Sequence, residues 1–189
     1  MDGWWTASYI VLWFVVVALC IVVVALARQI GTLHLRLGPT GALEMDDEGP
    51  PIGEAPEPIR AETMDGDSVL VGGPGENRML LFVSPGCMVC DQVLPSIQAV
   101  SGAMSASVVT DVDEQESRLA FAHQDIPAPV IPGKKVCSAY DVPGTPYVVV
   151  LDRLGVVRAK GTVNNLEQME GLIDTARRRM AQVMEERTG

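Results

Sequence analysis

The pattern of apolar and polar positions divides the chain into an apolar start and a mixed remainder. Residues 9–27 read YIVLWFVVVALCIVVVALA, a run without a charged side chain. At about 1.5 Å per residue this run nearly crosses a hydrocarbon core about 30 Å thick. Trp4 and Trp5 precede it and Arg28 follows it, as expected for side chains at the two membrane interfaces. The pattern predicts a transmembrane anchor helix over residues 1–30.

The same run has an alternative interpretation as a cleaved signal peptide, since residues 25–27 (ALA) are similar to a small-residue cleavage site. A membrane span is favoured, because no Lys or Arg precedes the run and it is longer than the apolar region of a usual signal peptide. Arg28 and Arg36 follow the helix. The positive-inside rule, applied to these two charges alone, would place the remainder in the cytoplasm.

Residues 38–60 read GPTGALEMDDEGPPIGEAPEPIR, a stretch rich in Pro, Gly and acidic side chains with neither helical nor strand periodicity. This composition predicts a flexible linker over residues 31–60 and a folded domain over residues 61–189.

Apolar positions in the folded domain predict alternating strands and helices. Residues 79–83 (MLLFV) form a short apolar run typical of a buried central strand, and the apolar spacing after Cys87 is helical. The other predicted elements are strands at 108–112, 147–151 and 156–161, a helix at 114–123, and a last helix capped by Asn164 with Glu167 at its N3 position. The order β-α-β-α followed by β-β-α indicates an α/β sandwich.

Charge and cysteine content narrow the function classes. The net charge of -10 argues against nucleic-acid binding, which requires clustered Lys and Arg, and favours a protein or small-molecule partner. The four cysteines, Cys20, Cys87, Cys90 and Cys137, do not have the spacing of a small disulfide-stapled domain. Cys137 is interpreted as a buried thiol, with a third redox thiol as the alternative.

Residues 84–90 (SPGCMVC) place a Cys-x-x-Cys pair where a predicted strand gives way to a predicted helix. The unpaired N–H groups at a helix N-terminus favour an anion, so Cys87 is the expected nucleophile with a lowered pKa. Cys90 lies one turn further along the same face and is the expected resolving thiol. A zinc half-site is the alternative, but the sequence has no second paired ligand motif.

Residues 140–146 (YDVPGTP) immediately precede the predicted strand at 147–151. With the upstream Cys-x-x-Cys pair, this segment resembles the thioredoxin superfamily. The resemblance implies a cis peptide bond before Pro146 and contact of Thr145 and Pro146 with an extended substrate segment. It also implies a helix kink at Pro95. Cis X-Pro bonds are only about 5–6% of those in folded proteins, so this is a specific expectation.

A closer resemblance covers nearly the whole chain. It is carried by residues 27–31 (ARQIG), 52–56 (IGEAP), 81–90 (LFVSPGCMVC), 146–148 (PYV) and 155–161 (GVVRAKG). In their order and spacing these segments resemble the MauD family of methylamine utilisation proteins. That family pattern commonly has Thr and Pro at the positions of Gly86 and Met88.

The MauD resemblance implies a thioredoxin-like accessory factor anchored in the inner membrane with its soluble domain in the periplasm. Its implied activity is to form or rearrange disulfides in the small subunit of methylamine dehydrogenase during maturation. No cofactor is expected beyond the Cys87–Cys90 pair. The implied periplasmic location is favoured over the cytoplasmic one that Arg28 and Arg36 suggest.

Two other function classes stay open. Residues 53–56 (GEAP) are similar to the start of a peroxiredoxin, but the Thr and Arg that a peroxidatic cysteine requires cannot be placed in the sequence. A non-catalytic docking factor would keep the fold and use the groove near Pro146 only for binding. Peroxide consumption would identify the first class, and a Cys87→Ser variant that still supports partner maturation would identify the second.

Overall fold

The computed structural model describes residues 3–36, 48–102, 104–122 and 124–188. Gly3–Arg36 forms one helix, α1, which continues beyond the predicted limit at residue 30. By length and composition its segment Gly3–Val23 is a candidate membrane span, and large apolar side chains such as Phe14 are exposed. The predicted apolar N-terminal helix is therefore present.

The other described residues form a second compact unit of alternating strands and helices. Its elements are β1 (Ile59–Glu62), β2 (Ser68–Val71), β3 (Arg78–Val83), α2 (Met88–Val93), α3 (Ile97–Ser101), β4 (Ser105–Thr110), α4 (Glu114–Phe121), β5 (Val130–Pro132), α5 (Lys134–Ala139), β6 (Tyr147–Leu151), β7 (Val157–Thr162) and α6 (Leu166–Thr188). The predicted α/β sandwich is confirmed.

Strand β3 lies in the middle of a mixed five-stranded sheet with the order β5-β4-β3-β6-β7. It runs parallel to β4, with Val83 opposite Thr110, and antiparallel to β6, with Phe82 opposite Tyr147. The carboxyl ends of β3 and β4 therefore meet the amino end of β6 at one edge of the sheet. The segments that follow or precede these ends form the candidate site.

Both faces of β3 are covered, which explains its continuous apolar sequence. Met79, Leu81 and Val83 point into one core cluster with residues of α2, α3 and α6. Leu80 and Phe82 point into a second cluster with residues of β2, α5 and β6. Because successive side chains of a strand alternate between faces, residues 79–83 contribute to both cores.

Several elements differ from the sequence prediction. The strand predicted at 108–112 is β4, which begins three residues earlier, and the helix predicted at 114–123 is α4, which ends at Phe121. Residue 123 lies outside the described residues. The hairpin β1–β2, the three-residue strand β5 and the six-residue helix α5 are not predicted, because such short elements carry too few residues to establish a period.

Of the predicted linker over residues 31–60, residues 31–36 belong to α1 and residues 37–47 lie outside the described residues. The described part that begins at residue 48 pairs with the sheet. The Gly53 N–H donates to the Val157 carbonyl at 2.9 Å, and the Val157 N–H donates to the Glu54 carbonyl at 2.9 Å. Residues 59 and 60 already belong to β1. The structure therefore differs from a flexible linker over residues 48–60.

The last helix begins one residue later than predicted. The side chain of Asn165, rather than that of Asn164, accepts the Gln168 N–H at 2.9 Å, and the Gln168 side chain reaches back to the Asn164 N–H at 2.7 Å. The predicted capping by Asn164 and Glu167 is therefore wrong by one position. Pro95, where the resemblance implies a helix kink, lies in a short 3-10 segment at Leu94–Ser96 that separates α2 from α3.

Candidate active site

Cys87 lies at the junction between β3 and α2. Gly86 has a φ of 77°, a left-handed conformation that favours glycine and lets the chain turn sharply into the helix. Cys87 is the N-cap residue of α2, and its Sγ accepts the Cys90 N–H at 3.2 Å. The thiol therefore occupies the position at which a helix N-terminus offers unpaired donors to an anion.

The two thiols of the pair have opposite surroundings. Cys87 is half-buried, whereas Cys90 is 1% exposed. Burial acts to raise the pKa of Cys87, but hydrogen bonds from the Cys90 side chain and from the N–H groups of Cys90 and Val89 outweigh it, so that this pKa is lowered. Burial, assisted by the hydrogen bond with Cys87, raises the pKa of Cys90 to about 11. Cys87 is thus the more accessible and more acidic thiol.

The segment before β6 lies directly against this pair. The peptide bond between Thr145 and Pro146 is cis, which confirms that expectation from the sequence. The Cys87 Sγ lies 3.9 Å from the Thr145 carbonyl oxygen, within the range of a sulfur hydrogen bond. All four predicted site residues, Cys87, Cys90, Thr145 and Pro146, are therefore brought to the same edge of the sheet.

One contact of the loop that carries the pair was not predicted from the sequence. Asp111 follows β4, and its Oδ2 accepts the Ser84 hydroxyl at 2.8 Å. The two residues are 27 positions apart, so no local motif connects them. The available signal was the parallel arrangement of two strands, each followed by a polar residue at its carboxyl end.

The other two cysteines lie in different places. Cys137 on α5 is half-buried, and its thiol donates to the Thr110 carbonyl at 3.6 Å. Burial and the nearby Asp111 carboxylate raise the pKa of Cys137 to about 12, so it is almost fully protonated at neutral pH. This favours the buried-thiol interpretation over a third redox thiol. Cys20 is exposed on α1.

The rival site chemistries gain no support from the described residues. Within ranges 3–36, 48–102, 104–122 and 124–188, no three His, Cys, Asp or Glu side chains cluster closely enough to hold a metal ion. The zinc half-site interpretation therefore finds no further ligands there. In the same part of the chain, the hydrogen-bond partners of Cys87 are Ser84, Val89, Cys90, Asp91 and Thr145, with no arginine among them. A peroxidatic cysteine requires one nearby.

Comparison with solved structures identifies the fold. The exposed lipoprotein thioredoxin of Streptococcus pneumoniae superimposes with a TM-score of 0.56, at 16% identity, over 64% of this chain and 98% of that protein. The second unit therefore has a thioredoxin-like fold, as predicted.

Comparison with curated proteins identifies the family. The methylamine utilization protein MauD of Methylobacillus flagellatus is 35% identical over 182 residues, which are 93% of this chain and 88% of that protein. MauD of Paracoccus denitrificans is 33% identical over 183 residues, 94% of this chain and 91% of that protein. No protein-family model matches the chain. These two relatives extend over the apolar helix, the linker region and the thioredoxin-like unit together, and the chain belongs to the MauD family of methylamine utilization proteins.

Proposed function

We propose that this protein is a membrane-anchored thiol–disulfide oxidoreductase or isomerase that uses Cys87 as nucleophile and Cys90 as resolving thiol. Its substrate is a disulfide-containing periplasmic protein, the small subunit of methylamine dehydrogenase during maturation. The redox-active group is the cysteine pair itself.

The observation that carries this proposal is the asymmetry of the two thiols. A half-buried thiol with a lowered pKa can attack, or be attacked by, the sulfur of another protein. The buried Cys90 thiol, with a pKa of about 11, is not open to a partner protein from solvent, but the Cys87 sulfur lies next to it at the start of the same helix. This division suits a pair in which one thiol contacts the partner and the other releases it.

In the reducing direction, the Cys87 thiolate attacks a substrate disulfide and forms a Cys87–substrate disulfide, and one substrate thiolate leaves. Cys90, after losing its proton, then attacks the Cys87 sulfur, which releases the second substrate thiolate and leaves a Cys87–Cys90 disulfide. The reverse sequence transfers two electrons from a substrate dithiol to the pair. In isomerisation the released substrate thiolate instead attacks a different substrate disulfide, and the thiolate displaced there attacks the substrate sulfur of the mixed disulfide, which frees the Cys87 thiolate with no net electron transfer.

Thr145 and Pro146 are proposed as the substrate-binding residues. The Thr145 carbonyl lies 3.9 Å from the Cys87 sulfur, so a segment disulfide-bonded to Cys87 would lie against this loop. The thioredoxin resemblance supports the same role, since the corresponding residues of that superfamily pair with an extended substrate segment.

The partner and the location rest on the family. The matched relatives are named methylamine utilization proteins, and the family resemblance implies maturation of a periplasmic subunit. The candidate span in α1 supports a single-pass inner-membrane protein. We propose a periplasmic thioredoxin-like unit, against the weak contrary signal of Arg28 and Arg36.

Trapping the mixed disulfide tests this proposal. Cys90→Ser keeps the attacking thiol but removes the resolving one, so a Cys87–substrate disulfide should accumulate in membranes quenched with acid and alkylated. The adduct should contain the methylamine dehydrogenase small subunit and disappear on reduction. The matched control Cys87→Ser/Cys90→Ser should trap nothing, and Cys137→Ser/Cys90→Ser should trap as much as Cys90→Ser.

A failure would be informative. If Cys90→Ser traps no partner and cells with Cys87→Ser still mature methylamine dehydrogenase, the cysteines are not the function and the docking-factor alternative replaces this proposal. Topology has a separate test: a membrane-impermeant maleimide should label Cys87 in intact spheroplasts. Labelling only after lysis would place the unit in the cytoplasm.

A further inference from the structure

Asp111 makes two hydrogen bonds at the bend where β3 ends and the loop of the cysteine pair begins. Its backbone N–H donates to the Val83 carbonyl at 3.3 Å, and its Oδ2 accepts the Ser84 hydroxyl at 2.8 Å. Val83 is the last residue of β3 and Ser84 is the first of the loop. The residue directly after the neighbouring strand β4 therefore hydrogen-bonds to both sides of this bend.

Ser84 in turn touches both cysteines through its backbone. Its carbonyl accepts the Cys87 N–H at 3.2 Å. On the other side, a hydrogen bond from the Ser84 backbone acts on the Cys90 thiol, where it lowers the pKa against the larger effect of burial. A displacement of Ser84 would therefore change its hydrogen bonds to Cys87 and to Cys90 at the same time.

The chemistry of Asp111 suggests more than a stabilising contact. Its second carboxylate oxygen, Oδ1, is buried, and it has no hydrogen-bond partner in the described part of the chain. A buried acceptor without a donor costs free energy, so a carboxylate is a poor choice here for stability alone. What it provides is a charge-assisted acceptor for the Ser84 hydroxyl, which holds that side chain more firmly than a neutral group would.

We propose that Ser84 and Asp111 are positioning residues for the resolving step, in which Cys90 attacks the Cys87 mixed disulfide. This inference rests on the proposed thiol–disulfide exchange. The first attack, by Cys87 on the substrate, depends less on Ser84 and Asp111. The hydrogen-bond donors that stabilise the Cys87 sulfur come mainly from Cys90 and Val89 in α2. The resolving attack requires the buried Cys90 sulfur and the Cys87 sulfur to be in line, and Ser84 is the residue whose backbone contacts both.

The two steps can be measured separately with an aromatic disulfide that releases a coloured thiolate. In the first phase the Cys87 thiolate attacks the reagent, forms a mixed disulfide and releases one coloured thiolate. In the second phase the Cys90 thiolate attacks the Cys87 sulfur, forms the Cys87–Cys90 disulfide and releases the other coloured thiolate. The experiment uses the reduced full-length chain in detergent with Cys20→Ser and Cys137→Ser, so that only the pair reacts.

Ser84→Ala and Asp111→Ala should slow the second phase by about tenfold or more, since misplacing reacting atoms by about 1 Å can cost about a hundredfold. The first phase should change by less than about twofold, the size of a minor contact. Asp111→Asn, which keeps only a neutral acceptor for the Ser84 hydroxyl, should recover part of the second-phase rate but not all of it. The matched control is Asp113→Ala, which removes a side-chain hydrogen bond to the Glu116 N–H at the start of α4 without touching the loop.

Specific outcomes would overturn the inference. Equal slowing of both phases would mean that Ser84 and Asp111 only stabilise the loop in general. An unchanged second phase in a folded Ser84→Ala variant would show that Ser84 does not position the resolving step. If Asp111→Ala does not fold, Ser84→Ala and Asp111→Asn still test the positioning role in the same two-phase assay. If the first phase is absent even in the parent chain, the proposed exchange chemistry fails, a result distinct from failure of the positioning role.

Discussion

At the scale of single residues, the local surroundings of Cys87 and Cys90 give them different pH dependences. The pKa of Cys87 is lowered from its ordinary value of 9.0, so its thiolate should persist below that pH and be lost as the pH falls through the lowered pKa. We expect alkylation of Cys87 in Cys90→Ser to have its midpoint below pH 9.0, and that of Cys90 in Cys87→Ser to have its midpoint above pH 9.0, because burial, the largest cause of its raised pKa, remains. Rates of iodoacetamide labelling, read by mass spectrometry from pH 5 to 11, would measure both.

Cys137 provides the internal control for that titration. Its pKa of about 12 predicts that Cys137 is alkylated more slowly than Cys87 at every pH below that value. A Cys87 midpoint at or above 9.0 would contradict the proposed nucleophile.

The contribution of the Cys90 side chain to the acidity of Cys87 can be isolated by comparing two substitutions. Cys90→Ser keeps a side-chain donor near the Cys87 sulfur, whereas Cys90→Ala keeps only the backbone N–H at 3.2 Å. Since donors stabilise the thiolate, the pKa of Cys87 should be higher in Cys90→Ala than in Cys90→Ser. The same labelling titration measures the difference, and equal midpoints would assign the effect to the backbone alone.

Residue-scale prediction from the sequence succeeds where the signal is local. Cys87 and Cys90 are marked by neighbours within a few positions, whereas the cis bond before Pro146 was expected from the thioredoxin resemblance. Asp111 is not marked locally, because its partner Ser84 is 27 positions away and only the register of β3 and β4 brings them together. An Asp after a strand has many possible roles, and the sequence does not distinguish among them.

At the scale of elements, the start of α6 provides a test of one-residue accuracy. The Asn165 side chain accepts the Gln168 N–H at 2.9 Å, and loss of such a cap costs about 1 kcal/mol. We expect Asn165→Ala to lower the free energy of unfolding by about that amount. Asn164→Ala should change it by only a few tenths of a kcal/mol, roughly the size of a surface substitution, because the contact of Asn164 is made by its backbone N–H.

Pulse alkylation of the buried Cys90 during urea unfolding of the full-length chain would measure both free energies, since Cys90 is 1% exposed when folded. The reverse ranking, with Asn164→Ala the more costly, would restore the cap predicted from the sequence.

Elements with a long apolar run or a two-sided core are predictable, and short ones are not. The predicted strand at 147–151 coincides with β6, and 79–83 falls within β3, because every position of these strands except the first of β3 is buried. In contrast, β5 has three residues, ends at Pro132 and lies at the edge of the sheet. Such an element exists because β4 offers it hydrogen bonds, a tertiary cause that its own sequence does not contain.

At the scale of the whole molecule, residues 48–54 are held along strands β6 and β7 by hydrogen bonds. The Glu48 carbonyl accepts the Lys160 ammonium at 2.7 Å and the Tyr147 hydroxyl at 3.1 Å. Tyr147 directly follows Pro146, and Lys160 is fully buried in β7. Composition predicted a flexible linker here because Pro, Gly and acidic residues rarely form a core, but backbone carbonyls need only donors, and β6 and β7 supply them.

Removing the lysine tests whether this attachment holds residues 48–54 in solution. In Lys160→Met the side chain keeps nearly its length but donates nothing, and loss of a hydrogen bond from a charged group costs about 1.5 kcal/mol or more. Local opening should then raise hydrogen exchange at the Gly53 amide, which donates to Val157, by about tenfold or more. Lys135→Met, at an exposed position of α5, is the matched control and should leave that exchange unchanged. Mass spectrometry of the peptide covering residues 50–56 of the full-length chain would measure the hydrogen exchange in both variants. Exchange at random-coil rates already in the parent chain would restore the flexible linker, whereas protection that survives Lys160→Met would assign the attachment to the Gly53–Val157 pairing rather than to Lys160.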